Sequence, residues 1–335
     1  MNTIRHLSRK DAIEAGALHW AAAVEDIHAT IRLLRSGEAG MVAESVMPLG
    51  ADPRNKAYGL PAFVGGAYDA AGLKWTVHRG EPIGDLPSIS STTVINRLSD
   101  GAPVGSVESA LLTRMRTAAV SAAAIKALKP TGMKSVALLG AGAHAQTHLD
   151  MLLALFPNVE TIHLWNRTRS HLDPMIAEAG PMIAEAGQDT ATQILPHADW
   201  HEALTDADVV ICCTSAPQPF LDKSAVRPGR LIMQIGFHEV MFETIAATDF
   251  VTVDLWGDFA NKSAKSLFQM YRAGQFSPER VAADLPALLL DGWQPDADAS
   301  LYFSSFGLNV FDIAFAARVL RRANELNIGT LLPSI

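Results

Sequence analysis

The spacing of apolar positions changes twice along the chain. Over residues 11–34 they recur at helical intervals, which predicts one long helix ahead of a Gly-rich break. Short apolar runs follow at 60–78 and 91–109. The second alternates on either side of Ser99-Asp100-Gly101, a hairpin signal. The first third is therefore expected to form a mostly antiparallel sheet. Residues 111–130 are Ala-rich, with no Gly or Pro before Pro130, and predict a helix.

From Lys134 onward strands and helices alternate. SVALLG, VETIHLWN, DVVICC, GRLIMQIG and DFVTVDLW read as strands, and AHAQTHLDMLLALF as the helix between the first two. Such alternation predicts a parallel sheet with helices on both faces. NVFDIAFAARVLRRANELN is an amphipathic helix after the last expected sheet segment, so it is expected to pack elsewhere. PMIAEAG occurs twice in tandem, at 174–180 and 181–187, and is expected in a surface helix with no function of its own.

At 335 residues the chain has room for two domains. Its net charge of -8 argues against a nucleic-acid partner, which needs clustered cations. No apolar run is long enough to span a membrane, and the N-terminus lacks a signal-peptide pattern. The two cysteines, Cys212 and Cys213, are adjacent in an apolar run, which makes them poor staples and points to a reducing cytoplasm.

Gly140-Ala141-Gly142-Ala143-His144-Ala145 fits G-x-G-x-x-A between a strand and a helix. In that context Gly140 would make the tight turn and Gly142 would let the backbone approach a pyrophosphate. Ala145 would let helix and strand pack closely. The helix N-terminus then offers N–H groups to phosphate. The next strand ends in Asn166-Arg167-Thr168-Arg169, where an NAD-preferring site usually carries an acid. Arginine can pair with a 2′-phosphate, so NADP(H) is the preferred cofactor, with NAD(H) as the alternative. Thr214, Ser215 and Ala216 follow the cysteine strand and are candidates for lining the cofactor. HEVMFE is not H-E-x-x-H, and no metal is expected.

Arg116-Thr117-Ala118-Ala119-Val120-Ser121, Gly72-Leu73-Lys74-Trp75, the WNRT strand end and the terminal GLNVFDIA…NIGTLL together resemble the ornithine cyclodeaminase/mu-crystallin family. GLKW, SVESALLTRMRTAAVS and NIGTLL look most like its N-(2-amino-2-carboxyethyl)-L-glutamate dehydrogenase branch, of siderophore 2,3-diaminopropionate synthesis. The resemblance implies an α/β chain with a Rossmann dinucleotide-binding domain (126–307) inserted into an α+β substrate-binding and dimerisation domain (1–125 and 308–335). It further implies a homodimer with its active site in the cleft between domains. The implied reaction moves hydride between nicotinamide and the Cα of an amino acid, an N-substituted amino acid or an imine.

By the same resemblance Lys74 contacts the substrate carboxylate or carries a proton, and Arg116 clamps that carboxylate. Thr93 aligns with a family threonine near the nicotinamide and substrate, and Thr117 is a candidate cofactor-binding residue. Glu239, after the fourth strand of the domain, stands where cyclodeaminases have Asp and would handle the amine and water. His238 beside it is the alternative proton carrier. Read without the family, Lys74 is a surface lysine at a strand end and Arg116 an ion-pair partner of Glu108. Where cyclodeaminases carry a basic residue, near residues 41–46, this chain has Glu44. Two other functions stay open at this point: an ammonia-lyase of cyclodeaminase type, and a ketimine reductase or NADPH-binding protein of mu-crystallin type.

Overall fold

The computed structural model describes residues 3–129, 132–185 and 192–333. The chain divides into two compact units, Met1–Thr117 with Gly307–Ile335, and Ala118–Phe306.

The first unit is built on an eight-stranded sheet. Its path runs β16 (Thr330–Pro333), β1 (Thr3–Leu7), β7 (Pro103–Glu108), β6 (Ile89–Arg97), β5 (Ala70–His78), β4 (Lys56–Val64), β2 (Ala39–Met41), with β3 (Ser45–Pro48) also on β4. Among the described residues, only the β1–β7 pairing of this sheet is parallel. The expected hairpin joins β6 to β7. The expected single helix at 11–34 is instead two, α1 (Arg9–Glu14) and α2 (Trp20–Ser36). Gly16 breaks it by turning to a φ of 87°, and His19 caps the restart by accepting from the Ala22 amide.

The terminal helix α10 (Asn309–Leu326) buries Val310, Phe311, Ile313, Phe315 and Leu320 and packs on β4, β5, β6 and β7. It is not preceded by the last strand, as its sequence suggested. An αL turn at Asn327 releases the chain into β16, antiparallel to β1. The opposite face of this sheet leaves Phe63, Trp75 and Val94 more than a third exposed.

The second unit is an all-parallel sheet in the order β10 (Gln193–His197), β9 (Thr161–Trp165), β8 (Ser135–Leu139), β11 (Val209–Cys212), β12 (Leu231–Gln234), β15 (Leu301–Ser304), β13 (Phe250–Val253), β14 (Val281–Ala283). The first five positions are the dinucleotide-fold order, with the switch point between β8 and β11. β10, β14 and β15 escaped the sequence reading. β10 alternates weakly and carries Pro196, β14 has three residues, and β15 hides among Ser and aromatic residues. Helix α3 (Ala110–Leu128) enters this unit midway along its length. The first PMIAEAG copy lies in α5 (Leu172–Glu185), with Met175 and Ala179 buried. The end of the second copy lies outside the described residues.

Candidate active site

In the first unit one cross-strand row sets the chemistry. Leu60 pairs with Lys74, Lys74 with Thr93, and Thr93 with Val107. Directly opposed residues of an antiparallel sheet share a face, and all four are buried. Lys74 is therefore no surface lysine. Its Nζ lies 2.8 Å from Asp312 Oδ2, and Arg116 Nε lies 3.0 Å from Asp312 Oδ1. Thr113 adds contacts of 3.4 and 3.5 Å to Lys74 and Asp312. Arg116 thus pairs with Asp312, not Glu108, which instead accepts from the Ala110 amide.

β5 supplies the lysine, α3 the arginine and α10 the aspartate. Sequence reasoning missed Asp312 because it lies inside an amphipathic helix, at a spacing that otherwise reads as core. The only clue was a carboxylate on a buried face. Gly307 completes the corner: its φ is +96°, and a Cβ there would lie 2.6 Å from Arg116 Nη1. Only glycine meets both conditions.

Burial would push the Asp312 carboxyl up, but the Arg116 and Lys74 charges outweigh it and hold it below the usual carboxylate range. Burial, with Arg116 alongside, pulls Lys74 down, against the pull of Asp312. Of the two cations on Asp312, the second positive charge is opposed among the described residues only by Glu44, whose carboxyl burial raises, and the pair suits an incoming carboxylate. Glu44 belongs to this neighbourhood. It sits where the β4 edge is interrupted between β2 and β3, and Asn309 at the start of α10 holds that loop by donating to Val42 O at 3.1 Å. Burial raises the Glu44 carboxyl, opposed by Lys74 and Arg116.

Thr93 donates to Ser109 Oγ at 2.7 Å, since the Ser109 hydroxyl is itself directed at Val107 O. Thr117, also in this unit, donates to Thr113 O at 2.7 Å.

In the second unit β8 runs into the Gly140–Ala145 turn, and α4 (Ala143–Leu155) starts inside it. Gly140 has a φ of +123°, and a Cβ there would lie 2.5 Å from Cys213 O. The turn therefore demands glycine for the protein's own packing. Gly142 differs: a Cβ there would meet no protein atom within 4 Å. It is the N-cap of α4 with no side-chain cap, and it is exposed. Room above an uncapped 13-residue helix fits a phosphate group. Ala145 is fully buried, as close helix packing requires. Ala141 and His144 are half-buried and Ala143 exposed around the same turn.

Asn166 follows β9 directly and donates to Thr168 O at 2.8 Å, shaping the loop, while Arg167 is exposed. Arg169 pairs with Asp173 at 3.4 Å. Thr214, Ser215 and Ala216 lie just past β11, at the carboxyl edge of the sheet beside the switch point.

Glu239 follows β12, which is the fifth strand of the unit in chain order, not the fourth, because β10 intervenes. It is fully buried. Oε1 accepts from the Thr214 amide at 3.1 Å and Oε2 from Gln234 Nε2 at 3.1 Å. Burial pushes its carboxyl up, against the pull of Lys265 and Gln234.

The model of the ornithine cyclodeaminase/mu-crystallin family matches residues 9–327. An N-((2S)-2-amino-2-carboxyethyl)-L-glutamate dehydrogenase of Staphylococcus aureus is 26% identical over 338 residues, covering 98% of this chain and 97% of the relative. An NAD(P)H-dependent anabolic L-arginine dehydrogenase of Pseudomonas aeruginosa is 27% identical over 243 residues, 70% of this chain and 72% of the relative. An archaeal alanine dehydrogenase dimer with bound NAD superposes with a TM-score of 0.87 at 19% identity, covering 100% of each chain. With its family model matched almost end to end, the chain belongs to the ornithine cyclodeaminase/mu-crystallin family.

Proposed function

We propose that the protein is an NAD(P)-dependent oxidoreductase acting on the C–N bond of an amino acid or N-substituted amino acid, of N-(2-amino-2-carboxyethyl)-L-glutamate dehydrogenase type. The observation that carries this is the Lys74–Asp312–Arg116 cluster, a preformed cationic corner for an α-carboxylate, in a chain whose other unit presents a dinucleotide turn. The unit formed by the two chain ends is the substrate domain, and the inserted unit is the dinucleotide domain.

In this reading Lys74 and Arg116 hold the carboxylate, so that Cα is fixed before reaction. Thr93 lies beside Lys74 in the same row and limits where the substrate can sit. Ala141, Gly142, Ala143 and His144 hold the pyrophosphate on a turn that Gly140 and Ala145 shape from within, and Thr214, Ser215 and Ala216 line the remainder. The dinucleotide, when bound, supplies or accepts the hydride. Oxidation of a secondary amine yields an imine, which water splits into a 2-oxo acid and a primary amine. Asn166, Arg167 and Thr168, with no acid at the end of β9, favour NADP(H).

The exposed Phe63, Trp75 and Val94 face supports a homodimer formed through the first sheet, and the free, buried cysteines support a cytoplasmic setting. Trp75→Glu is expected to yield a monomer by light scattering.

The test is a panel of amino acids, 2-oxo acids with amines, and cyclic imines, each with NADP(H) and NAD(H), followed by nicotinamide absorbance. Stoichiometric change with one N-substituted amino acid is expected. Ammonia release at constant absorbance would instead assign a cyclodeaminase, and binding without turnover a mu-crystallin-like binder.

A further inference from the structure

We propose that His238 is the group that exchanges the reaction's proton at the carboxyl edge of the second sheet, and that Glu239 beside it is a positioning residue. The inference rests on the oxidoreductase reading above.

The two side chains leave the same loop after β12 but meet different surroundings. Glu239 is fully buried, and each carboxylate oxygen already accepts a hydrogen bond, from the Thr214 amide and from Gln234. Those bonds tie the end of β11 to the end of β12. A carboxylate so enclosed can hold two loops together, but it has no exposed atom to trade a proton with a ligand. His238 is only part-buried.

A polar chain orients the His238 ring. Tyr302 donates to Gln234 Oε1 at 2.5 Å, and Gln234 Nε2 donates to Phe237 O at 3.1 Å, so the amide can face only one way. The same Nε2 lies 3.0 Å from Ser266 Oγ, so its two hydrogens are shared among Phe237 O, Glu239 Oε2 and Ser266 Oγ, which acts as acceptor toward the amide. His238 Nδ1 is 3.1 Å from that oxygen. The hydroxyl can accept Nδ1–H or donate to a bare Nδ1; the relay uses the first arrangement, in which Nε2 is the nitrogen that gains and loses the proton.

The elements packed around the ring bring few charges to it. Lys265 turns its ammonium onto the Ile235 and Gly236 carbonyls, at 2.5 and 2.6 Å. On α7 (Phe242–Ala247), Phe242 faces the ring at 6.3 Å while Glu243 is exposed. The remaining charge of the cluster is Glu239. Partial burial lowers the His238 pKa below the usual histidine value. In the direction of amine oxidation the group must accept a proton, so turnover should rise with pH through a limb below that value.

The test compares pH profiles of His238→Gln, His238→Asn, Glu239→Gln and Ser266→Ala in the intact protein. Dinucleotide affinity, read by fluorescence, serves as the control for folding. Both His238 variants should lose about 100-fold or more in turnover, lose the acid limb and keep dinucleotide affinity. Glu239→Gln should keep the limb. Ser266→Ala removes an acceptor from the protonated ring, so its limb should move to lower pH. A limb that survives in the His238 variants, or one that disappears only in Glu239→Gln, overturns the proposal. An unmoved or raised limb in Ser266→Ala overturns the relay. Nitrogen-15 NMR of the wild-type ring needs no substrate and separates this proposal from the reading of activity. Nδ1 should stay protonated while Nε2 titrates, and a ring protonated on Nε2 alone contradicts it.

Discussion

The two units solve opposite electrostatic problems. The first buries Lys74, Arg116 and Asp312 as charges and makes them tolerable by pairing them. The second relies mostly on partial charges: backbone amides at the start of α4, a glycine with open space above it, and Gln, Ser and Tyr groups around Glu239, with Lys265 as its opposite charge. A compact carboxylate is best met by fixed opposite charge. A long dinucleotide is better met by many partial charges spread along one sheet edge. The first unit thus gathers three buried charges on one carboxylate, whereas the second spreads its buried charges, Arg230, Glu239, Asp254 and Lys265, among backbone and neutral partners.

The largest expected effect breaks the ionic side. Asp312→Ala leaves two buried cations without their carboxylate and should cost about 3–5 kcal/mol in denaturant unfolding. Turnover should fall with it. Asp312→Glu keeps the charge, and partial recovery of turnover would show that the carboxylate acts through Lys74 and Arg116.

A buried neutral histidine in the second unit sharpens the contrast with pH. His148 on α4 is fully buried, with its ring bonded to Ser121 Oγ at 2.9 Å and His144 O at 2.7 Å. Burial drops its pKa from 6.5 to about 4. The unfolded chain therefore binds a proton that the folded unit refuses. Stability is complete above about pH 6.5 and falls as pH drops toward 4, by about 3 kcal/mol in all. His148→Asn should flatten that part of a stability–pH curve. Asp312, held below the usual carboxylate range, releases its contribution only at more acid pH, as protonation of the carboxylate dissolves the cluster.

Gly140→Ala should cost about 1–3 kcal/mol through its left-handed φ, before the contact with Cys213 O is relieved. Dinucleotide affinity should drop with little change in the first unit's melting. The smallest effect is Arg167→Ala, expected to weaken NADP(H) about tenfold and leave NAD(H) unchanged. Equal loss for both cofactors would remove Arg167 from 2′-phosphate recognition.

What could be read from the sequence follows the same division. The dinucleotide turn was legible because its glycines, its strand and its helix are contiguous, so local pattern carries the site. Lys74, Thr93 and Arg116 were named only through family resemblance, since nothing local makes a strand lysine or a helical arginine catalytic. Asp312 stayed hidden because its meaning depends on residues about 200 positions away, joined only by folding. The extra strands β10, β14 and β15 were missed because they are short or carry Pro and Ser, and packing overrides their weak propensity. Glu239 was read in the loop after the GRLIMQIG strand, but its burial could not be inferred from sequence spacing.

Hydride transfer to or from Cα is the central claim, and isotope transfer tests it most directly. The protein would be given reduced dinucleotide deuterated at nicotinamide C4, on each face in turn, with a 2-oxo acid and an amine. One deuterium should appear at Cα of the product from one of the two labelled faces, with one equivalent of cofactor oxidised. Product formed without label from either face, or ammonia released with the cofactor unchanged, would contradict the account.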